Sequence, residues 1–183
     1  MKHILQIVLT ISLLIGCAQA QTQTAPQQYD MTFIIDGGKQ INIPMSNGGA
    51  MSAENEHYKV VVAGTKLSVM QKDPIASKIS WTFGFVTKSN LLIKNVVIEY
   101  VSPEGKLTSL INDIKPKLKD NRWIGDAEAS SMSREDSPWL YSDKNSIFLF
   151  KISIVDSEGT TILYQPSLLS KEVKNTYLTI LNN

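Results

Sequence analysis

The chain has 183 residues, 43% of them hydrophobic, with 18 basic residues, 17 acidic residues and a single cysteine. One cysteine excludes an intramolecular disulfide, so a folded domain must be held by its core alone. The charge is nearly balanced and unclustered along the chain, which predicts no electrostatic footprint for nucleic acid or anionic lipid.

Residues 1–20 read as an export signal. Lys2 and His3 give a weakly basic start, and Ile4 to Ile15 is apolar apart from Gln6, Thr10 and Ser12. That core is too short for a membrane span, which needs roughly 20 residues. Two processing sites follow it. Ala18-Gln19-Ala20 is the small-x-small pattern of a signal peptidase site; a cut before Gln21 gives a soluble periplasmic product. Leu14-Ile15-Gly16-Cys17 resembles the bacterial lipobox. The resemblance implies that Cys17 is acylated and becomes the new N-terminus. With Ala18 rather than Asp after it, the resemblance also implies an outer-membrane lipoprotein facing the periplasm. Two or three acyl chains anchor firmly where one binds only marginally. The lipid-anchored form is the preferred expectation. Removing residues 1–20 takes away one base, Lys2, and leaves 17 bases against 17 acids. Residues 21–28, "QTQTAPQQ", are polar and uncharged and read as a flexible tether.

From residue 29 to 183 a single domain is expected. Strands at 31–35 and 39–43 flank Asp36-Gly37-Gly38, a hairpin turn. Asn47-Gly48-Gly49 reads as a flexible loop, since no Lys-Ser/Thr or helix start follows to bind phosphate. Tyr58, Val60 and Val62 alternate, and a further strand is expected at 66–70. Ile79, Trp81, Phe83 and Phe85 form one of the two clearest core strands. Residues 92–101 are apolar on both faces in part, as in a central strand. Pro103 and Gly105 mark a turn before 106–111, and 122–129 is another short strand. Phe148, Phe150, Ile152 and Ile154 form the second clear core strand, and a turn at Asp156–Gly159 leads into 160–164. Short strands at this spacing predict an all-β, antiparallel sandwich of immunoglobulin-like type, without the cysteine pair of antibody domains. A transmembrane β-barrel is disfavoured, because most strands are short and Lys and Asp interrupt several. After Pro166, the helical spacing of Leu169, Val173, Tyr177 and Ile180 predicts a short helix capped by Ser167. A strand at 176–181 is the rival.

Sequence chemistry concentrates in 112–145, the longest stretch without sustained alternation. Trp139 and Tyr141 follow Pro138 in polar sequence. They read either as exposed anchors for a protein or a sugar ring or, for Trp139, as a cover for one end of the sandwich. Arg122 is the third candidate binding residue. Trp123 shares a face with Gly125, Ala127 and Ala129 and is expected in the core. His57 is the one histidine left after processing, no G-x-S-x-G surrounds any serine, and no Cys or His pair has ligand spacing. No catalytic residue, metal or cofactor is expected. The leading expectation is a non-enzymatic envelope protein, tethered through Cys17, that binds another protein through 112–145 or an exposed sheet edge, as an accessory subunit or immunity-type factor. A carbohydrate- or peptidoglycan-binding module using Trp139 and Tyr141 is the alternative. An envelope hydrolase built on His57 is the third.

Overall fold

A computed structural model describes residues 28–46, 49–50, 52–71, 76–131 and 147–168. Cys17, Trp139 and Tyr141 lie outside the described residues, as do the export signal, most of the tether and the segment from 169 onward.

The period-2 patterning decides the secondary structure. Among the described residues ten strands form: β1 (Gln28–Ile35), β2 (Lys39–Ser46), β3 (Gly49–Ala50), β4 (Tyr58–Gln71), β5 (Ala76–Thr87), β6 (Asn95–Val101), β7 (Leu107–Ile114), β8 (Arg122–Ser131), β9 (Ile147–Val155) and β10 (Thr160–Leu168). Every strand pair among the described residues is antiparallel. Asp36–Gly38 closes the first hairpin, with Gly37 and Gly38 at positive φ, where a side chain would strain the turn. The strands form a hairpin sheet β1-β2-β3, a three-stranded sheet β4-β5-β8 and a four-stranded sheet β10-β9-β6-β7.

The last two sheets face each other. Val60, Ile79, Trp81, Phe83, Phe85 and Trp123 from one meet Val96, Ile98, Phe148, Phe150, Ile152 and Ile154 from the other in one buried cluster. The central strands β5 and β9 supply its densest contacts. Trp81 lies edge-on to Phe148 and Phe150, at 5.4 and 5.3 Å between centroids, and Phe83 lies edge-on to Phe150 at 4.9 Å. The β1–β2 hairpin covers the far side of the four-stranded sheet. Ile35 joins Val101 and Leu149 there, with Phe33, Ile41, Ile43, Leu107 and Tyr164 around them. Lys151 pins the hairpin turn, reaching Asp36 at 3.3 Å and Glu99 at 3.6 Å.

Three expectations need correction. The runs at 58–62 and 66–70 are one strand, β4, carrying a register shift between Ala63 and Lys66. Ser167 is not a helix N-cap: it is buried inside β10, paired with Phe148, because the strand continues through Pro166 to Leu168. The 112–145 segment is not one long loop, since it begins with the end of β7, a short crossover and all of β8.

Trp123 lies in the core, as its small neighbours imply. Its ring stacks on Phe85 at 5.4 Å, and its Nε1 donates to Asp113 Oδ2 at 2.8 Å, tying β8 to β7 across the two sheets. The ring lies directly over Gly125. A Cβ there would sit 2.5 and 2.6 Å from Trp123 Cη2 and Cζ2. Because stacking and the hydrogen bond hold the indole in place, Gly125→Ala should destabilise by about 1–3 kcal/mol. Urea unfolding monitored by tryptophan fluorescence would show it. An unchanged midpoint would mean that the indole is free to move.

Candidate functional site

Two crossovers close one end of the sandwich. Residues 88–94 carry the chain from β5 to β6, and 115–121 carry it from β7 to β8. They run side by side, tied by Thr87 N–H to Asn121 O at one end and by Lys115 N–H to Lys94 O at the other, both at 2.9 Å. Each alternates as a strand would. Leu91, Ile93, Pro116 and Leu118 turn inward and plug the core, whereas Leu92, Lys94, Lys115, Lys117 and Lys119 turn outward. Lys115, Asp120 and Asn121 adopt positive φ. Asp and Asn tolerate that region and form the tight turn that ends at Arg122. Arg122 is exposed at the start of β8, with its backbone paired to Lys119.

The result brings together basic residues that the linear sequence holds apart. The crossovers with Arg122 hold six basic residues, Lys88, Lys94, Lys115, Lys117, Lys119 and Arg122, against Asp120, while the segments before β4 and between β9 and β10 bring Glu54, Glu56, Asp156 and Glu158 to the same end. Lys88 is engaged with Glu54, at 3.4 Å, and with Asn55 O, at 2.8 Å. Two exposed apolar side chains lie near this end, Leu92 and Ile114, each 69% exposed.

Beside this end, a buried polar link joins the sheets. The Tyr58 hydroxyl donates to Asp156 Oδ2 at 2.5 Å, and Asp156 Oδ1 accepts from the backbone N–H of Glu158 and Gly159 at 2.7 and 2.9 Å. Burial alone would raise the Asp156 pKa. The Tyr58 hydroxyl, the two amides and neighbouring His57 outweigh it and hold the carboxyl below its ordinary value. Tyr58 is pushed up by burial and by the same carboxylate.

His57 adjoins this link. Its Nδ1 is 3.4 Å from Ser89 Oγ, and its Nε2 is 3.2 Å from Glu56 and 4.0 Å from Glu158. A histidine between a serine and carboxylates has the composition of a nucleophile site, here with loose contacts. At 3.4 Å the Ser–His contact is at the long end of hydrogen-bond distance. Both glutamates are largely exposed, so neither holds the ring firmly. Among the described residues no three His, Cys, Asp or Glu side chains gather as a metal site.

The outer face of the β4-β5-β8 sheet is a second exposed region. Val61 pairs with Gly84 and Gly84 with Ile124, so the two apolar side chains flank a glycine in one row. Val86 follows on the same face. Their exposures are 42% for Val61, 40% for Val86 and 70% for Ile124. β8 is the last strand of that sheet.

Of the binding residues expected from sequence, Arg122 alone falls among the described residues, and the fold sets it beside the crossover lysines. Leu92, Ile114 and Ile124 escaped the sequence reading: Leu92 lies in the apolar run Leu91–Ile93, Ile114 falls beyond the strand expected at 106–111, and Ile124 directly follows the core residue Trp123. The available signal was parity: each falls on the opposite side of its strand from a residue that must be inside. Comparison with protein-family models, curated proteins and solved structures finds no match for the chain.

Proposed function

We propose that this is an exported envelope protein, tethered by lipid on Cys17, that acts as a non-enzymatic binding module for another protein. The observation that carries the proposal is the row Val61–Gly84–Ile124 with Val86, on the outer face of a sheet whose β8 edge is unpaired among the described residues. Apolar side chains set together on a flat face beside a strand edge are what a partner's surface or an added strand covers. The strand order supports an immunoglobulin-like arrangement. Counting from β4, the first, second and fifth strands form one sheet, and the third, fourth, sixth and seventh form the other. Aromatic contacts between β5 and β9 stand where antibody domains place their disulfide.

Two experiments test the two halves. Cells fed a clickable palmitate analogue should label the wild-type chain, and Cys17→Ser should abolish the label; a labelled Cys17→Ser chain would refute the anchor. A photo-cross-linking residue at position 124 should trap one protein of defined mass in living cells, while the same residue at 104, in the exposed β6–β7 turn, traps none. Equal cross-linking at both positions, or none at 124, would refute the docking face.

A further inference from the structure

We infer that the outer face of β4-β5-β8 packs on the same face of a second copy of this chain, about a two-fold axis that crosses the strands through Val61, Gly84 and Ile124. This rests on the docking-face reading above and names the molecule that docks there.

Two observations point to a second copy. The first is the order of charge about Ile124. The outer positions of β8 run Arg122, Ile124, Asp126, all exposed, so a base and an acid flank an apolar centre at equal distance along one strand. A two-fold axis across the strands at Ile124 reverses their direction. It sets Arg122 of each copy over Asp126 of the other, while the two Ile124 side chains meet. A symmetric pair requires one patch to complement itself in this way. The neighbouring strands agree with that axis. Lys59 shares a row with Val86 and Arg122, and Thr82 shares a row with Asp126, so a basic row and an acidic row lie on either side of the apolar one. A two-fold along the strands would instead stack Arg122 on Lys59, base on base. Arg122 makes no ion pair among the described residues. Asp126 accepts from the Thr82 hydroxyl at 2.7 Å through Oδ1 alone, and Glu128, farther along β8, is paired with Lys78.

The second observation is Gly84. A glycine inside a strand weakens it and often marks a bulge, a tight bend or the close approach of another backbone. β5 keeps unbroken register from Thr82 to Val86 with both neighbours, which excludes a bulge there. Nothing within the fold presses on the position either. A Cβ at Gly84 would meet the Trp123 carbonyl oxygen at an ordinary 3.5 Å and nothing nearer. What the glycine provides lies outside: a shallow groove between Val61 and Ile124, on the line where the axis brings the two sheets together. Sheets packed face to face keep their strands within about 30° of one another, so the apolar rows of the two copies stay in contact along that line.

The test uses the full chain carrying Cys17→Ser, which leaves no other cysteine and so excludes a disulfide-linked pair. Sedimentation equilibrium should show a dimer. Arg122→Asp and Asp126→Arg, each alone, set like charges against each other twice per dimer and should raise its dissociation constant on the order of a hundredfold. The two substitutions together restore both pairs and should return the constant to within about tenfold of its starting value. Both side chains are exposed, so near-UV circular dichroism, which reads the buried aromatic rings, should stay unchanged in all three variants. Ile124→Glu leaves Arg122 and Asp126 in place and should also yield a monomer. A chain that sediments as a monomer up to about 0.1 mM overturns the inference. So does a dimer that both single reversals leave intact, or one that the double reversal fails to restore. The photo-cross-linking residue at 124 separates this failure from that of the docking face. An adduct of twice the chain's mass supports the symmetric pair. An adduct with a different protein keeps the docking face and overturns the second copy, and no adduct at 124 overturns both.

Discussion

Phe150→Ala should cost the domain about 3–5 kcal/mol, a large part of the 5–15 kcal/mol that holds a typical domain folded. The side chain is fully buried at the centre of β9. Its ring lies edge-on to Trp81 and Phe83 of the opposite sheet and within 6.4 Å of Tyr100 and Phe148 on its own. No disulfide can link the two sheets, so these rings, with the aliphatic side chains around them, hold the layers in register. Truncation removes both the transfer free energy and the contacts of four neighbours, and a rigid pair of sheets collapses poorly onto the gap. Phe150→Leu should lose markedly less, because most of the volume stays. Ser153→Ala on the same strand, facing away from this core, should change stability by less than about 0.5 kcal/mol. Urea midpoints of the three variants decide the matter. If Phe150→Ala lost less than about 1 kcal/mol, the sheets would not be pressed together at this point.

The same rings explain why so much of the fold was legible. Ile79 to Phe85 and Phe148 to Ile154 alternate without interruption, and alternation reports a strand with one buried face whatever its partner is. What alternation cannot report is a second covering layer. Leu149 and Val101 point away from the main core, yet both are buried, because a hairpin some fifty or more residues earlier in the chain packs over them. The same limit hid the exposed residues. Leu92 sits in a run that reads as strand core and Ile114 falls beyond the strand expected at 106–111, and only the pairing partner tells which side has solvent. Charge was least legible of all. Lys88 and Lys94 are separated in sequence from the 115–122 bases by a complete hairpin, and their apposition depends on two crossovers lying at one end of the sandwich. Ser167 failed for another reason: its local capping chemistry favours a helix start, but pairing along β9 outweighs it.

Asp156→Ala should be nearly as damaging as Phe150→Ala, at about 3 kcal/mol, and its effect should depend on pH. The carboxylate accepts three hydrogen bonds, from the Tyr58 hydroxyl and from two amides of the β9–β10 turn. Without it the Tyr58 hydroxyl is left buried with no acceptor at the junction of the sheets. In the wild-type protein desolvation opposes the charge, but the donors and His57 prevail, so the folded pKa lies below the ordinary aspartate value of 3.8. The sign follows. The unfolded chain takes up the proton first, so the stabilisation is complete above about pH 4 and is lost as pH falls through the folded pKa. Wild type and Asp156→Asn should therefore converge in stability as pH drops from 6 towards 2. Tyr58→Phe reports the opposite flank. The folded Tyr58 pKa is raised, so its contribution is intact below the unfolded tyrosine value near 10 and is lost at higher pH. Tyr58→Phe should be less stable than wild type at neutral pH, with a gap that narrows at both extremes. Parallel stability curves for wild type, Tyr58→Phe and Asp156→Asn from pH 2 to 11 would show that the tyrosine–aspartate link carries no net energy across the sheets.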